Sequence, residues 1–347
     1  MPKTGVLVVN LGTPDSPATG DVRRYLIQFL TDPRVIDIPW LPRQLLVRGI
    51  IGPFRAPKSA KTYREIWMPE GSPLMVYGER LVAALRAAWR EDVPVELAMR
   101  YQNPSIAAGL EALRRQDVER VVVFPLFPQY ASATTGSVHD EVMRVLRGQA
   151  NIPDLRLIDD YPDDPAFIGA FAEAGRAHDP ADWDHVLFSY HGLPERQIRK
   201  ADDRAVCRFG ACCEALGPDN RRCYRAQCFA TTRALAGELG LAEGGYTTCF
   251  QSRLGSDPWI QPYTSDVLKD LAGRGVKRLL VFCPAFTADC IETIDEIAVE
   301  YAEEFHEAGG KELRLVESLN DRPVWVEAIT TMLEQRTGLR LLRAVEA

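Results

Sequence analysis

Two short segments, far apart in the chain, carry the side chains best suited to moving protons and holding a metal. They are Phe188-Ser-Tyr-His191-Gly-Leu-Pro194 and Thr287-Ala-Asp289-Cys-Ile-Glu292-Thr293. Imidazole titrates nearest neutrality, and with carboxylates it forms a donor set for hard or borderline metals. The chain has only 5 histidines, and His191 sits between an apolar run and a Gly-Leu-Pro turn. Gly192 beside it permits close approach of a ligand. Asp289, Glu292, Glu296, Glu300 and Glu303 recur at intervals of three or four, so one helix would carry them on one face. Asp289 and Glu292 would occupy its first turn, where a helix N-terminus favours carboxylates. Such a run is also what a plain solvated helix face looks like.

A second cluster is made of thiols. Five of the 8 cysteines fall between Cys207 and Cys228, spaced C-x4-C-C-x9-C-x4-C at Cys207, Cys212, Cys213, Cys223 and Cys228. Thiols this dense in a reducing compartment suit zinc or an iron–sulfur cluster. Without a C-x2-C pair a zinc ribbon is disfavoured. Four ligands suffice, so one cysteine is spare, expected to be Cys212 or Cys213. Cys249 and Cys283 fall in apolar runs and are expected in the core.

The elements that must position these groups alternate between strand and helix, the pattern of α/β layering. Strands are expected at 5–10, 95–99, 121–127 and 155–158, then at 186–190, 246–250, 279–283 and 313–316. In a parallel sheet, ligands gather beyond the carboxyl ends of the strands, where His191, Asp289 and Glu292 would lie. Three echoes run in the same order through the two halves. Asn10-Leu-Gly-Thr-Pro14 parallels Tyr190-His-Gly-Leu-Pro194. Arg100-Tyr-Gln-Asn-Pro104 parallels the stretch Phe250 to Pro258, and the stretch Phe127 to Thr135 parallels Phe286 to Thr293. These echoes imply two Rossmann-like subdomains, over 1–164 and 165–321, with the cysteine insertion at 207–228 and a C-terminal helix and tail at 322–347.

The totals narrow the class. The chain has 347 residues, 46% apolar and 26% charged, enough for two ordinary domains. A net charge of −7 with no basic block argues against nucleic acid. No run is long enough to span a bilayer. The N-terminus runs directly into a strand, so a cytoplasmic protein is expected. Neither a dinucleotide fingerprint nor a Walker loop is present. The apolar, proline-broken stretch from Gln28 to Pro42 reads as buried or as a greasy lip. With Arg43, Arg48 and Arg55 after it, that lip would suit peripheral contact with the inner face of a membrane.

With these residues in place, the chain resembles the ferrochelatase family over roughly residues 4 to 330. The resemblance rests on Asn10-Leu-Gly-Thr-Pro-Asp15, Gly71-Ser-Pro-Leu74, Met99-Arg-Tyr101, Pro128-Gln-Tyr130 and Thr134-Thr-Gly-Ser137. It continues through Ser189-Tyr-His-Gly-Leu-Pro194, Phe250-Gln-Ser-Arg253, Asp257-Pro-Trp259 and Ala288-Asp-Cys-Ile-Glu-Thr293. It implies a chelatase-like fold with a porphyrin cleft between two Rossmann-like halves. It also implies insertion of Fe2+ into protoporphyrin IX, the last step of haem synthesis, by a monomer or homodimer. Coproporphyrin or cobalt insertion, or a non-catalytic sensor, are the alternatives. His191 matches the family's cleft histidine and Glu292 its opposing carboxylate. Asp289 and Glu296 match further acidic positions of that helix. Arg100, Tyr101, Tyr130 and Trp259 match porphyrin-binding positions. Cys290 stands where the family often has histidine. The cysteine insertion resembles that of bacterial members with an internal [2Fe–2S] cluster.

Overall fold

The computed structural model describes residues 2–342. Among the described residues, eight strands form two four-stranded parallel sheets. The first contains β1 (Thr4–Gly12), β2 (Val95–Tyr101), β3 (Arg120–Pro125) and β4 (Asp154–Leu157), in the order β2-β1-β3-β4. The second contains β5 (His185–His191), β6 (Tyr246–Gln251), β7 (Arg278–Phe282) and β8 (Glu312–Leu315), in the order β6-β5-β7-β8. Both sheets place their second strand, first strand, third and fourth in that spatial order. The three echoes of the sequence fall at equivalent strand ends: after β1 and β5, after β2 and β6, and after β3 and β7.

Parallel neighbours require helical crossovers, and these bury both faces of each sheet. That is why the inner strands β1, β3, β5 and β7 read as continuous apolar runs, whereas β4 and β8 at the edges stay partly exposed. One face of the first sheet packs Leu7, Val9, Val121 and Val123 against Ile106, Leu110, Val138 and Val142 of flanking helices. In the second, Leu187, Leu279, Val281, Cys249 and Cys283 pack against Leu268, Leu271, Ile297 and Phe305. Cys249 in β6 and Cys283 just past the end of β7 are therefore core residues, as expected.

The described chain divides into two compact units. One runs through Phe127, resumes over Ser132–Asp160 and takes in the segment from Asp321 onward; the other comprises Pro128–Ala131 and Tyr161–Asn320. The helix Pro323–Thr337 belongs to the first unit, where Thr330 Oγ1 accepts from Trp89 Nε1 at 2.8 Å.

In the first unit, the segment after β1 and its helix forms an α-helix over Trp40–Gln44, a π-helical turn over Leu45–Ile51 and a longer helix over Gly52–Ile66. This stretch exposes Trp40 (66%), Leu45 (65%) and Phe54 (78%). Arg43 is not part of that surface. It is buried, and Nη1 donates to the carbonyls of Ile36 and Ile38, so it braces the apolar segment from within. Among the described residues, no helix is long and apolar enough to cross a membrane.

Candidate active site

In the second unit, His191 closes β5, and its Nδ1 lies 2.6 Å from the carbonyl oxygen of Gly192. A carbonyl can only accept, so Nδ1 carries the proton and the lone pair of the neutral ring is on Nε2. Trp259 and Phe286 flank the imidazole, each with ring centroids 6.4 Å away. Glycine at 192 is obligatory: a Cβ there would meet Gln251 O at 2.8 Å and Trp259 Cε3 at 3.0 Å. The backbone carbonyl of His191 accepts from Tyr224 Oη at 2.8 Å.

The acidic segment after β7 is not one regular helix. A short α-helical stretch, Ile291–Ile294, passes into a π-helical turn over Glu296–Tyr301 and back to α-helix at Ala302–Glu307. The change of pitch separates the carboxylates, so the single acidic face read from the sequence does not form. Glu300 and Glu303 are exposed, whereas Glu296 turns inward. Its carboxylate accepts from Gln251 Nε2 at 3.0 Å, Ser252 N at 2.7 Å and Ser252 Oγ at 2.6 Å. π-helical turns of this kind concentrate at functional sites.

Gln251 is the hub. It is buried, its amide also donates to the Glu292 carbonyl at 2.9 Å, and its own backbone carbonyl accepts from Gly192 N at 2.8 Å. Ser189 Oγ donates to its Oε1 at 2.8 Å. One side chain thus ties the strand of His191 to the segment of Glu292 and Glu296. In the sequence Gln251 stands within the Phe250-Gln-Ser-Arg253 motif with nothing to mark this role.

Asp289 is buried and enclosed by donors: Thr293 Oγ1 at 3.0 Å, Ser318 N at 3.2 Å and Asn320 Nδ2 at 2.7 Å. Cys290 caps the start of the helix through a reciprocal bond with Thr293. Burial first, then the neighbouring Glu292 carboxylate to which it hydrogen-bonds, push the Cys290 thiol pKa up, so it remains a donor. Tyr130 has its backbone N–H on Gln227 Oε1 at 2.6 Å and Arg222 over its ring.

The cysteines separate into four and one. Cys207, Cys212 and Cys223 line a cavity of about 250 Å³ together with Asp202, Asn220 and Arg222. Cys213 lies 3.8 Å from Cys212, sulfur to sulfur, and hydrogen-bonds to Cys223. That bond holds Cys223 below the ordinary thiol range and pushes Cys213 up. Cys228 is instead wholly buried one turn into the helix Tyr224–Glu238, beside Tyr224 and Tyr190. Cys228 is thus the thiol set deepest in the fold, away from the Cys212–Cys213–Cys223 pairing. Among the described residues, no three of these groups converge closely enough, as placed, to hold a metal ion together. Donor chemistry and pairing around one cavity fit a thiolate-held group; a preformed ligand set is not there.

In the first unit, Arg100 and Tyr101 stand at the end of β2. Tyr101 is fully buried, with its hydroxyl donating to Asp32 Oδ2 at 2.9 Å. Arg100 donates through Nη2 to the same oxygen at 2.7 Å and through Nε to Ser137 Oγ at 2.6 Å.

These features define a parallel α/β protein with a histidine of fixed tautomer and carboxylates at its strand ends. Sequence comparison adds the lineage. The profile of the Ferrochelatase family matches residues 3–337. A ferrochelatase of Azotobacter vinelandii is 49% identical over 94% of this chain and 97% of its own. One from Pseudomonas putida is 46% identical over 95% and 98%, and one from Coxiella burnetii 43% over 97% and 95%. Among solved structures, SirB from Bacillus subtilis with Fe3+ aligns over 97% of this chain and 96% of its own, at 14% identity and a TM-score of 0.49. The chain belongs to the ferrochelatase family.

Proposed function

We propose that the chain is a lyase that inserts Fe2+ into protoporphyrin IX to form protohaem, with His191 Nε2 as the proton acceptor. Iron insertion into a porphyrin follows from family membership over nearly the whole chain. The observation that carries the residue assignment is the Nδ1–Gly192 bond, which leaves Nε2 as the basic nitrogen of a ring flanked by aromatic walls.

Metal insertion requires a pyrrole to bend until its nitrogen lone pair meets the ion, and two N–H protons must leave. Trp259 and Phe286 supply flat apolar surface against which a macrocycle can be held, so binding along the ring supports distortion at its centre. Nε2 of His191 takes a pyrrole proton. Glu292 orients the incoming Fe2+. Glu296, held by three donors one turn on, passes protons outward. Asp289, enclosed by its own donors, anchors the start of this segment. Arg100, Tyr101 and Tyr130 complete the substrate-binding set, with Tyr101 acting through its neighbours because it is buried.

Cys207, Cys212, Cys213 and Cys223 would hold a [2Fe–2S] cluster, which would supply a covalent brace for this segment. Tyr224 follows Cys223 directly and bonds the His191 carbonyl, so the brace bears on the site. The exposed apolar side chains Trp40, Leu45 and Phe54, with Arg48 and Arg55 nearby, would rest on the inner membrane surface of a cytoplasmic enzyme.

The substrate is tested by anaerobic insertion of Fe2+ into protoporphyrin IX and, in parallel, coproporphyrin III, followed by loss of free-porphyrin fluorescence. Faster turnover of protoporphyrin is expected. Preference for coproporphyrin would reassign the substrate while leaving the chelatase.

A further inference from the structure

Asp32 lies in the first unit just beyond the helix Thr19–Leu30, in the apolar stretch from Gln28 to Pro42 whose sequence fits either burial or a lip. It is only 6% exposed. A buried carboxylate needs donors around it, and this one has four. Oδ2 accepts from Arg100 Nη2 at 2.7 Å, Tyr101 Oη at 2.9 Å and Ser137 Oγ at 2.5 Å, and Oδ1 accepts from Arg34 N at 2.7 Å. The donors come from the end of β2, from the helix Ser137–Leu146 and from the stretch around Asp32 itself.

The consequence falls on Arg100. Its guanidinium carbon sits 4.5 Å from the centroid of the Tyr101 ring, Nε is bound by Ser137 and Nη2 by Asp32. Among the described residues, Nη1 has no hydrogen-bond partner. The group is thus gripped on three sides and presents one free donor edge. A cavity of about 530 Å³, lined by Asp32, Arg100, Gln28 and Arg144 among others, opens on this network. Burial, and then the Asp32 charge, push the Tyr101 pKa up, so its phenol remains a donor to the carboxylate.

We propose that Asp32 is a positioning residue for porphyrin binding: its buried carboxylate locks the Arg100 guanidinium in the one orientation that presents Nη1 to substrate. This rests on the reading of Arg100 as a substrate-binding residue. Asparagine at 32 keeps the shape but removes the charge that compensates Arg100. The guanidinium then turns towards solvent, because a buried charge without its partner is strongly disfavoured.

The test is a double-mutant cycle on the full-length enzyme, reading KM for protoporphyrin IX and kcat separately, with Asp32→Asn, Arg100→Ala and the double variant. Each single change is expected to raise the porphyrin KM by roughly tenfold, the scale of one charge-assisted hydrogen bond. The double variant should be no worse than Arg100→Ala alone, because Asp32 has nothing left to position. A merely structural role would give additive losses instead, which overturns the proposal. If Asp32→Asn folds poorly, Ser137→Ala removes one arm of the same grip and should raise KM by a few-fold, again without effect in the Arg100→Ala background. Wild-type KM in Asp32→Asn with a raised KM in Arg100→Ala overturns the positioning role alone. Wild-type KM in Arg100→Ala removes the substrate reading of Arg100 and the proposal with it.

Discussion

His191 Nδ1 and the carbonyl oxygen of Gly192 stand 2.6 Å apart, and this contact fixes which nitrogen of the imidazole is basic. The same Gly192 donates its N–H to the Gln251 carbonyl and has no room for a side chain. The tautomer of His191 is therefore set by backbone geometry, which in turn is set by the fit of Gly192 between Gln251 and Trp259.

Gly192→Ala should show this directly. Its Cβ would meet a backbone oxygen at 2.8 Å, an atom that cannot swing aside. We expect a folded but destabilised protein, by about 1–3 kcal/mol as in overpacked cores, with a large loss of kcat. Thermal unfolding and steady-state kinetics check both. Wild-type kcat in this variant would uncouple the glycine from the histidine.

Gln251→Leu tests the hub. Leucine fits the volume but donates nothing, so the Glu292 carbonyl and Glu296 each lose a bond. Destabilisation of about 1–3 kcal/mol is expected from the unsatisfied buried groups. Because Glu296 retains both bonds to Ser252, the larger effect should fall on kcat rather than on porphyrin KM.

The cysteine assignment separates by spectrum and iron content after anaerobic reconstitution. Serine at Cys207, Cys212, Cys213 or Cys223 should each remove the red-brown absorbance, while serine at Cys228 should keep it. Retention of colour in the Cys212 or Cys213 variant, with loss in the Cys228 variant, would return Cys228 to the ligand set.

His185 predicts a pH effect on stability. Burial first, then the nearby Arg274 charge, lower its pKa, and its Nε2 lies 2.9 Å from Thr247 Oγ1. The unfolded imidazole protonates near its ordinary value of 6.5 and the folded one only at lower pH. Stability from this group is therefore complete above that value and declines as pH falls below it. His185→Gln should flatten the fall in Tm between about pH 7 and about pH 5. An unchanged slope would remove His185 as its source.

The inner strands β1, β3, β5 and β7 are legible in the sequence because both of their faces are covered, which leaves unbroken apolar runs, whereas the partly exposed edge strands β4 and β8 are short alternations of leucine with charged residues. His191 and Glu292 draw attention in the sequence because few residue types suit their chemistry and because they follow strand ends, and the cysteine segment does so by its density alone. The π-helical turn at Glu296 is not legible: it depends on Gln251 and Ser252, whose bonds to it arise only once β6 and β7 share a sheet. For the same reason Arg43 looked like a surface charge, since the carbonyls it braces are revealed only by the path of the chain. Asp32 was hidden within a greasy stretch. A lone acid in such a stretch is itself a signal that partners await it in the fold.

On the proposed mechanism, Nε2 of His191 accepts a pyrrole proton during iron insertion. The most direct measurement compares wild type with His191→Ala in anaerobic insertion of Fe2+ into protoporphyrin IX, with porphyrin binding followed separately by the shift of its absorption. Loss of turnover by about 10²–10⁴-fold, the range for removing a general base, with binding retained, is the predicted result. Wild-type turnover by His191→Ala would contradict it.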